Sequence, residues 1–280
     1  MSHGITNMPS ESTLKQYAMR MNILARDGVD PHDATKLFAW FDHKGQGPSS
    51  QKLYLSAIKN SDPEGFPKVL QARLNTLYAE QTKKEMTQTL SEKQTTNFVK
   101  WTDLLAVQTK LAEMQKTDTQ WKQYLVVSLY TLTPPVRADY GEMEVHTRRD
   151  KSRTGNELIW NSKPTFVFRK YKTAKTYGVV ELPVPKPLQK VIQQWFEHLG
   201  GVPQYLLGET SSSSNTFAAY IAQTFKKHTG KEVGVSLVRH SFITHRFPSL
   251  KTIAQKQELA TKMLHSRDLQ EKYISLADME

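Results

Sequence analysis

The sequence predicts a mainly α-helical protein with a small antiparallel β-sheet, an α+β fold built in two parts. Three observations lead there. Apolar residues recur at helical spacing through most of the 280-residue chain. The exception lies near residues 165–182, where two β-rich runs flank a basic turn. A polar tract at 81–97, rich in Thr, Lys, Glu and Gln, reads as a connector. The expected division is a small helical domain over residues 1–92 and a larger domain over 93–280.

The first part reads as four short amphipathic helices. Residues 12–26 carry Leu14, Tyr17, Ala18, Met21 and Leu24, with Ser10 or Ser12 as cap and Gly28 as stop. Asp30 and Pro31 open a second helix bearing Ala34, Leu37, Phe38 and Phe41. After the Gly45–Pro48 loop, Ser49 or Ser50 caps a third with Leu53, Tyr54, Ala57 and Ile58. The fourth starts near Pro67 and carries Val69, Leu70, Leu74 and Leu77.

In the second part, helices are expected at 101–115 and 118–130, ended by Pro134-Pro135. Arg137 is expected at the start of a further helix. Residues 165–168 and 179–182 read as a hairpin around the turn 172–178, ended by Pro183. Leu188, Val191, Ile192, Trp195, Phe196 and Leu199 form the cleanest helical stripe, stopped by Gly200-Gly201. The serines at 211–214 lead into another helix at 216–228.

Composition narrows the partners. With 38 Lys+Arg against 27 Asp+Glu, the net charge of +11 points to a polyanion, most simply nucleic acid. The cations spread through folded-looking segments, which suits a groove better than a basic arm. The 38% hydrophobic content excludes wholesale disorder. No apolar run approaches the length of a membrane span, so no membrane partner is expected. Residues 1–10 lack a secretion-signal pattern, and the reading is an intracellular, non-secreted protein. The absence of cysteine excludes disulfides, thiolate metal sites and a cysteine nucleophile.

Metal and nucleotide chemistry find no motif. Asp27, Asp30 and Asp33 beside His32 read as helix-capping carboxylates. His240 and His245 are five apart, not the four of a helical zinc pair. No phosphate-binding glycine loop is present. Neither a metal nor a cofactor is expected.

What remains is an ordered set of Arg, Lys, His and Tyr. Arg137 follows Pro134-Pro135-Val136. Lys172 and Lys175 lie in the hairpin turn. Arg239 sits in Ser236-Leu237-Val238-Arg239-His240, His265 in Met263-Leu264-His265-Ser266, and Tyr273 follows eight residues later. In this order, and with 102 residues from Arg137 to Arg239, the chain resembles the tyrosine recombinase (integrase) family. The resemblance covers nearly the whole chain, the first domain resembling that family's DNA-binding core-binding domain and the second its catalytic domain. The Pro-Pro-Val-Arg-Ala-Asp-Tyr segment and the 172–178 turn look closest to versions in large DNA viruses and mobile elements. Two departures stand out. Ser236 occupies the place of a histidine, and Leu264 precedes His265 where glycine is usual.

The resemblance implies a site-specific recombinase that cuts and rejoins duplex DNA through a 3′-phosphotyrosyl link to Tyr273, without metal or ATP. Arg137 and Arg239 would hold the phosphate, and His265 would bond the same phosphate or move the nucleophile's proton. Lys175, slightly ahead of Lys172, would protonate the leaving 5′-oxygen. Arg148, Arg149, Lys151, Arg153 and His240 are candidate DNA contacts. A C-shaped clamp on DNA and a tetramer in the synaptic complex are implied, although only seven residues follow Tyr273 to exchange between subunits. A type IB topoisomerase-like monomer and an inactive DNA-binding protein of the same fold are the alternatives. Ser236 speaks for the last.

Overall fold

The computed structural model describes residues 9–88, 90–266, 270, 273 and 274. The chain divides into two compact units, Met1–Thr87 and Gln88–Glu280. The division falls five residues before the expected one, for a packing reason. Leu90 already packs on the second unit's core, which Phe98 and Val99 enter, and Asn97 accepts a hydrogen bond from the Glu232 amide at 2.8 Å.

The first unit holds α1 (Glu11–Arg26), α2 (Ala34–His43), α3 (Pro48–Ser61) and α4 (Lys68–Met86). Leu24, Leu37, Phe41, Leu55, Ile58 and Leu70 are its sealed centre. Trp40 meets Tyr54 edge-on at 5.1 Å. Ser10 caps α1, accepting from the Thr13 amide. Two expected starts move. Asp33, not Asp30, caps α2, and Asp30 instead closes a turn by accepting from the His32 amide. Pro48 is the first residue of α3 behind Gly47, since proline there gives up an amide that has no helical partner anyway. Asp27 accepts from Trp40 Nε1 and pairs with Lys44. The acidic cluster is therefore spent on one cap, one turn and the ion pairs of Asp27 with Arg26 and Lys44 and of Asp33 with Lys36.

Most of the expected connector is helical. Its first residues finish α4, and its last form α5 (Glu92–Asn97), closed by a reciprocal Ser91–Gln94 capping box. The second unit continues with α6 (Trp101–Glu113) and α7 (Asp118–Thr131). From Gln123 to Thr131 every residue of α7 is buried. A helix covered on all sides has no amphipathic stripe, which makes α7 the axis of the unit.

The sheet is larger than expected and mixed rather than antiparallel. Strands β1 (Glu144–His146), β2 (Glu157–Ile159), β3 (Thr165–Phe168) and β4 (Val180–Pro183) lie in that order. β1 and β2 run parallel; the other pairs are antiparallel. The hairpin β3–β4 is the one read from sequence, and its connection contains the short α8 (Ala174–Tyr177). Pro183 ends β4 on the sheet's edge, where a missing amide costs no ladder bond.

Helices α9 (Lys186–His198), α10 (Ser214–Thr229), α11 (Val235–Arg246) and α12 (Ile253–Lys262) complete the unit, with a 3-10 turn at Phe247–Ser249. The α9 stripe buries Leu188, Val191, Ile192, Trp195 and Phe196. Each such side chain contributes about 1.5–3 kcal/mol when taken fully out of water. Gly200 stops the helix at φ 78°, a left-handed value that glycine adopts without penalty. Among the described residues, no helix is long and apolar enough to cross a membrane.

Candidate active site

A cavity of about 750 Å³ in the second unit is lined by Arg137, Lys172, Ser236, Arg239 and Tyr273, together with Asp139 and Lys170. These residues come from the turn after α7, the β3–β4 connection, α11 and the segment beyond α12.

Arg137 is not at a helix start. Pro134 and Pro135 hold the chain extended, and the Arg137 carbonyl is taken by the Tyr130 hydroxyl at 2.6 Å instead of a helical amide. Residues 137–142 form tight turns. The Arg137 guanidinium reaches across to donate to the Leu264 carbonyl at 3.3 Å. Thr173 Oγ1, from the hairpin connection, donates to the same carbonyl at 3.1 Å. One backbone oxygen thus joins the three segments. Leu264 itself stands at φ 54° and is buried. That is a left-handed position, which glycine adopts without penalty and leucine does not.

Arg239 is 1% exposed. Its Nη1 donates to the carbonyls of Pro135, at 2.6 Å, and Met263, at 3.1 Å. Its Nη2 donates to His265 Nδ1 at 3.0 Å, and its Nε is buried without a partner. Among the described residues, no carboxylate forms an ion pair with Arg137 or Arg239. The nearest candidate, Asp139, has its Oδ2 shut from solvent without a partner. Burial pushes the Asp139 carboxyl up to about 6, against the pull of the two arginines. Two guanidiniums face this single carboxyl, so the cavity keeps an excess of positive charge that suits an outside anion.

Tyr273 is half-buried among these groups. The Arg239 guanidinium lies 4.9 Å from its ring centre, the His265 ring 5.7 Å and the His240 ring 4.8 Å. Burial raises the phenol's pKa, but Arg239, by charge and hydrogen bond, then Arg137 and Lys172, outweigh it and hold the phenol below its usual value. His265 is buried, with its pKa pushed down to about 3 by desolvation first and the two arginines after. Its Nδ1 accepts from a guanidinium that can only donate, so Nε2 carries the proton. That Nε2–H is buried without a partner. His265 is therefore a donor, and cannot take a proton from the phenol while this bond stands.

The other sequence candidates are placed as follows. Lys172 lines the cavity, whereas Lys175 is exposed on α8 and is not among the lining residues. Ser236 is exposed on the cavity rim, one helical turn before Arg239. His240, expected as a DNA contact, is instead buried at 9% exposure, with Nδ1 donating to the Tyr273 carbonyl at 2.8 Å. Arg149 is paired with Glu181. Arg153 is held by the buried Glu157, which Arg169 grips from the other side. Arg148 and Lys151 are exposed. Sequence reading missed Asp139 and Lys170. Asp139 stands two residues after Arg137, and that proximity was the available signal.

No protein-family model matches the sequence, and neither does any curated protein. Among solved structures, the chain is similar to a crystal structure of XerA recombinase, at 15% identity and a TM-score of 0.43. That alignment covers 96% of this chain and 88% of the other. At that distance the side chains of the cavity, not the likeness, are what point to a chemistry.

Proposed function

We propose that the chain is a DNA strand transferase of the tyrosine recombinase or integrase type, with Tyr273 as nucleophile and the second unit as its catalytic domain. The observation that carries this reading is the buried guanidinium of Arg239, without a carboxylate ion-pair partner among the described residues, stacked against the Tyr273 phenol beside Arg137. A phosphodiester supplies the missing anion, and the phenol stands next to it.

The chemistry follows from those groups. The Tyr273 phenol releases its proton to solvent, its oxygen attacks phosphorus, the bond to the 5′-oxygen breaks, and a 3′-phosphotyrosyl link forms. The phenol is a poor nucleophile at its ordinary pKa of about 10, and the three cations around it favour the phenolate. Arg137 and Arg239 stabilise charge on the non-bridging oxygens, and His265 Nε2–H adds a third donor. Lys172 protonates the departing 5′-oxygen. The covalent link keeps the energy of the broken bond, so rejoining by the reverse steps consumes no nucleotide. The net charge of +11 supports duplex DNA as the polyanion, with the first unit and the exposed Arg148 and Lys151 adding backbone contacts.

The test is covalent trapping. Nicked duplexes from a pool enriched for binding to the full chain are incubated with the protein and resolved under denaturing conditions. A protein–DNA adduct that Tyr273→Phe abolishes, with DNA affinity retained, is the expected result. Joining of two duplexes then separates a recombinase from a topoisomerase-like enzyme. Ser236, where an imidazole is usual, favours one other reading, a DNA-binding protein that does not cut. Tight DNA binding with no adduct from the natural sequence would establish it.

A further inference from the structure

We propose that His240 is a positioning residue for the nucleophile, holding the main chain of Tyr273 so that its phenol stays against the phosphate-binding arginines. This rests on Tyr273 being the nucleophile.

The need for such a tether is visible in the local backbone. Tyr273 lies in a turn. Its amide donates to the Gln270 carbonyl at 3.0 Å, a short-range bond that closes the turn but does not anchor it to the domain. The neighbouring Ile274 is buried in the core. His240 supplies a long-range polar contact to the main chain, from Nδ1 to the Tyr273 carbonyl across 33 residues of sequence. Its ring packs against the Tyr273 ring with a 59° tilt. The contact is therefore made twice, once to the backbone and once to the side chain.

His240 is also the residue after Arg239 on α11. Adjacent helical residues point about 100° apart, so one turn of a rigid helix can present two different groups to two targets. Arg239 faces the phenol ring and His265; His240 takes the Tyr273 backbone. The distance between the phosphate-binding guanidinium and the nucleophile is thus set by a single helix turn. Reaction rates are steep in such distances, a misplacement of about 1 Å costing about 10²-fold.

The bond also fixes the tautomer. A carbonyl only accepts, so His240 Nδ1 carries the hydrogen and Nε2 holds a lone pair. Substitutions can therefore tell the two nitrogens apart. Asparagine places a donor near Nδ1, glutamine places one near Nε2, and alanine places neither.

The experiment measures single-turnover adduct formation and DNA affinity for His240→Ala, His240→Asn and His240→Gln in the full chain. It adds ¹⁹F NMR of 3-fluorotyrosine at position 273. Positioning predicts DNA affinity close to the natural protein for all three, adduct formation about 10²-fold slower for Ala and Gln, and near-natural rates for Asn. A rate for Ala equal to the natural one overturns the proposal. So does an Asn variant that is as slow as Gln, because the essential nitrogen would then be Nε2. If His240→Ala fails to fold, the Asn–Gln comparison decides alone. If the natural protein forms no adduct, the proposed function falls and the positioning of a nucleophile falls with it, and the fluorine signal then decides only whether His240 holds Tyr273 in place. A single sharp resonance in the natural and Asn proteins, broadened or shifted in Gln, supports it; identical spectra in all three overturn it.

Discussion

Arg239 dictates which nitrogen of His265 carries the proton. The guanidinium has no acceptor, so its 3.0 Å contact with His265 Nδ1 leaves the imidazole neutral, with its hydrogen on Nε2. Arg137 and desolvation push the same way. Arg239 is thus the permanent charge of the pair and His265 a neutral donor.

A first prediction concerns stability and pH. The folded-state pKa of His265 is about 3, below the 6.5 of an unperturbed imidazole. Between those values the unfolded chain binds a proton that the folded chain does not. The contribution of His265 is therefore complete above about pH 6.5 and is lost as the pH falls toward 3. A His265→Gln variant lacks this dependence. Its stability deficit relative to the natural protein, from urea melts at pH 8, 6 and 4.5, should shrink as the pH drops. A deficit independent of pH would mean that the imidazole is not neutral in the fold.

Asp139 works in the opposite direction. Burial raises its carboxyl from 3.8 to about 6. Between those values the folded chain holds a proton that the unfolded chain has released, so Asp139 costs stability as the pH rises through that window. Asp139→Asn removes the titration. The variant's melting temperature should gain on the natural protein from pH 4 to pH 7 and stay level above it. A bound phosphodiester is an anion that offsets the pull of the two arginines and pushes the Asp139 carboxyl higher still, so the same comparison with DNA present tests whether the carboxyl faces the ligand. Parallel melting curves for the two proteins across this range would place the Asp139 carboxyl in water.

These two residues show where sequence reading reached and where it stopped. Arg137, Lys172, Arg239 and Tyr273 are separated by tens of residues, yet their order and residue types pointed to one site, and all four line one cavity. The stripe of α9 was equally legible, because five large apolar residues at helical spacing leave no other reading. The three-residue strands β1 and β2 were not, since alternation needs more residues than that to register. Arg137 was placed on a helix because nothing local shows that Tyr130 will claim its carbonyl. His240 was assigned to the DNA surface because a histidine on a helix reads as polar until the partner 33 residues away is known.

Gly141 tests how tightly the Arg137 turn is held. Its carbonyl accepts from the Ser212 amide at 2.8 Å, and an added Cβ would stand 2.3 Å from the Ser212 carbonyl oxygen and 3.0 Å from Phe217 Cβ. Neither neighbour is the free end of a flexible side chain. Gly141→Ala must therefore part the turn from the segment before α10, at about 1–3 kcal/mol for overpacking. The expected result is a lowered denaturation midpoint and weaker DNA binding, because the backbone that carries Arg137 moves with the turn. An unchanged midpoint would show that this contact yields at no cost.

The last prediction assigns the general acid. Lys172 lines the cavity and its charge helps to lower the Tyr273 phenol, whereas Lys175 sits exposed on α8. Thr173 ties this part of the connection to the Leu264 carbonyl, which Arg137 also holds, so Lys172 is kept on the cavity wall. An alkoxide leaves slowly unless it is protonated. A thiolate leaves unaided, since a thiol has a pKa of only about 8.5. Replacing the 5′-bridging oxygen by sulfur therefore removes the need for an acid and leaves the non-bridging oxygens as they were. Lys172→Ala should slow cleavage of ordinary DNA by about 10²–10⁴-fold and leave the sulfur substrate nearly as reactive as with the natural protein. Lys175→Ala should affect the two substrates alike and weakly, as the loss of an exposed phosphate contact does. Selective rescue of Lys175→Ala would transfer the role to that residue and require the connection to turn inward on DNA. Equal slowing of both substrates by Lys172→Ala would make Lys172 a ligand of the ground-state phosphate, with the proton coming from elsewhere in the cavity. Lys170 is the next amine on that wall, at present hydrogen-bonded to Glu142 at 3.2 Å, and Lys170→Ala on the same pair of substrates would then identify it or exclude it.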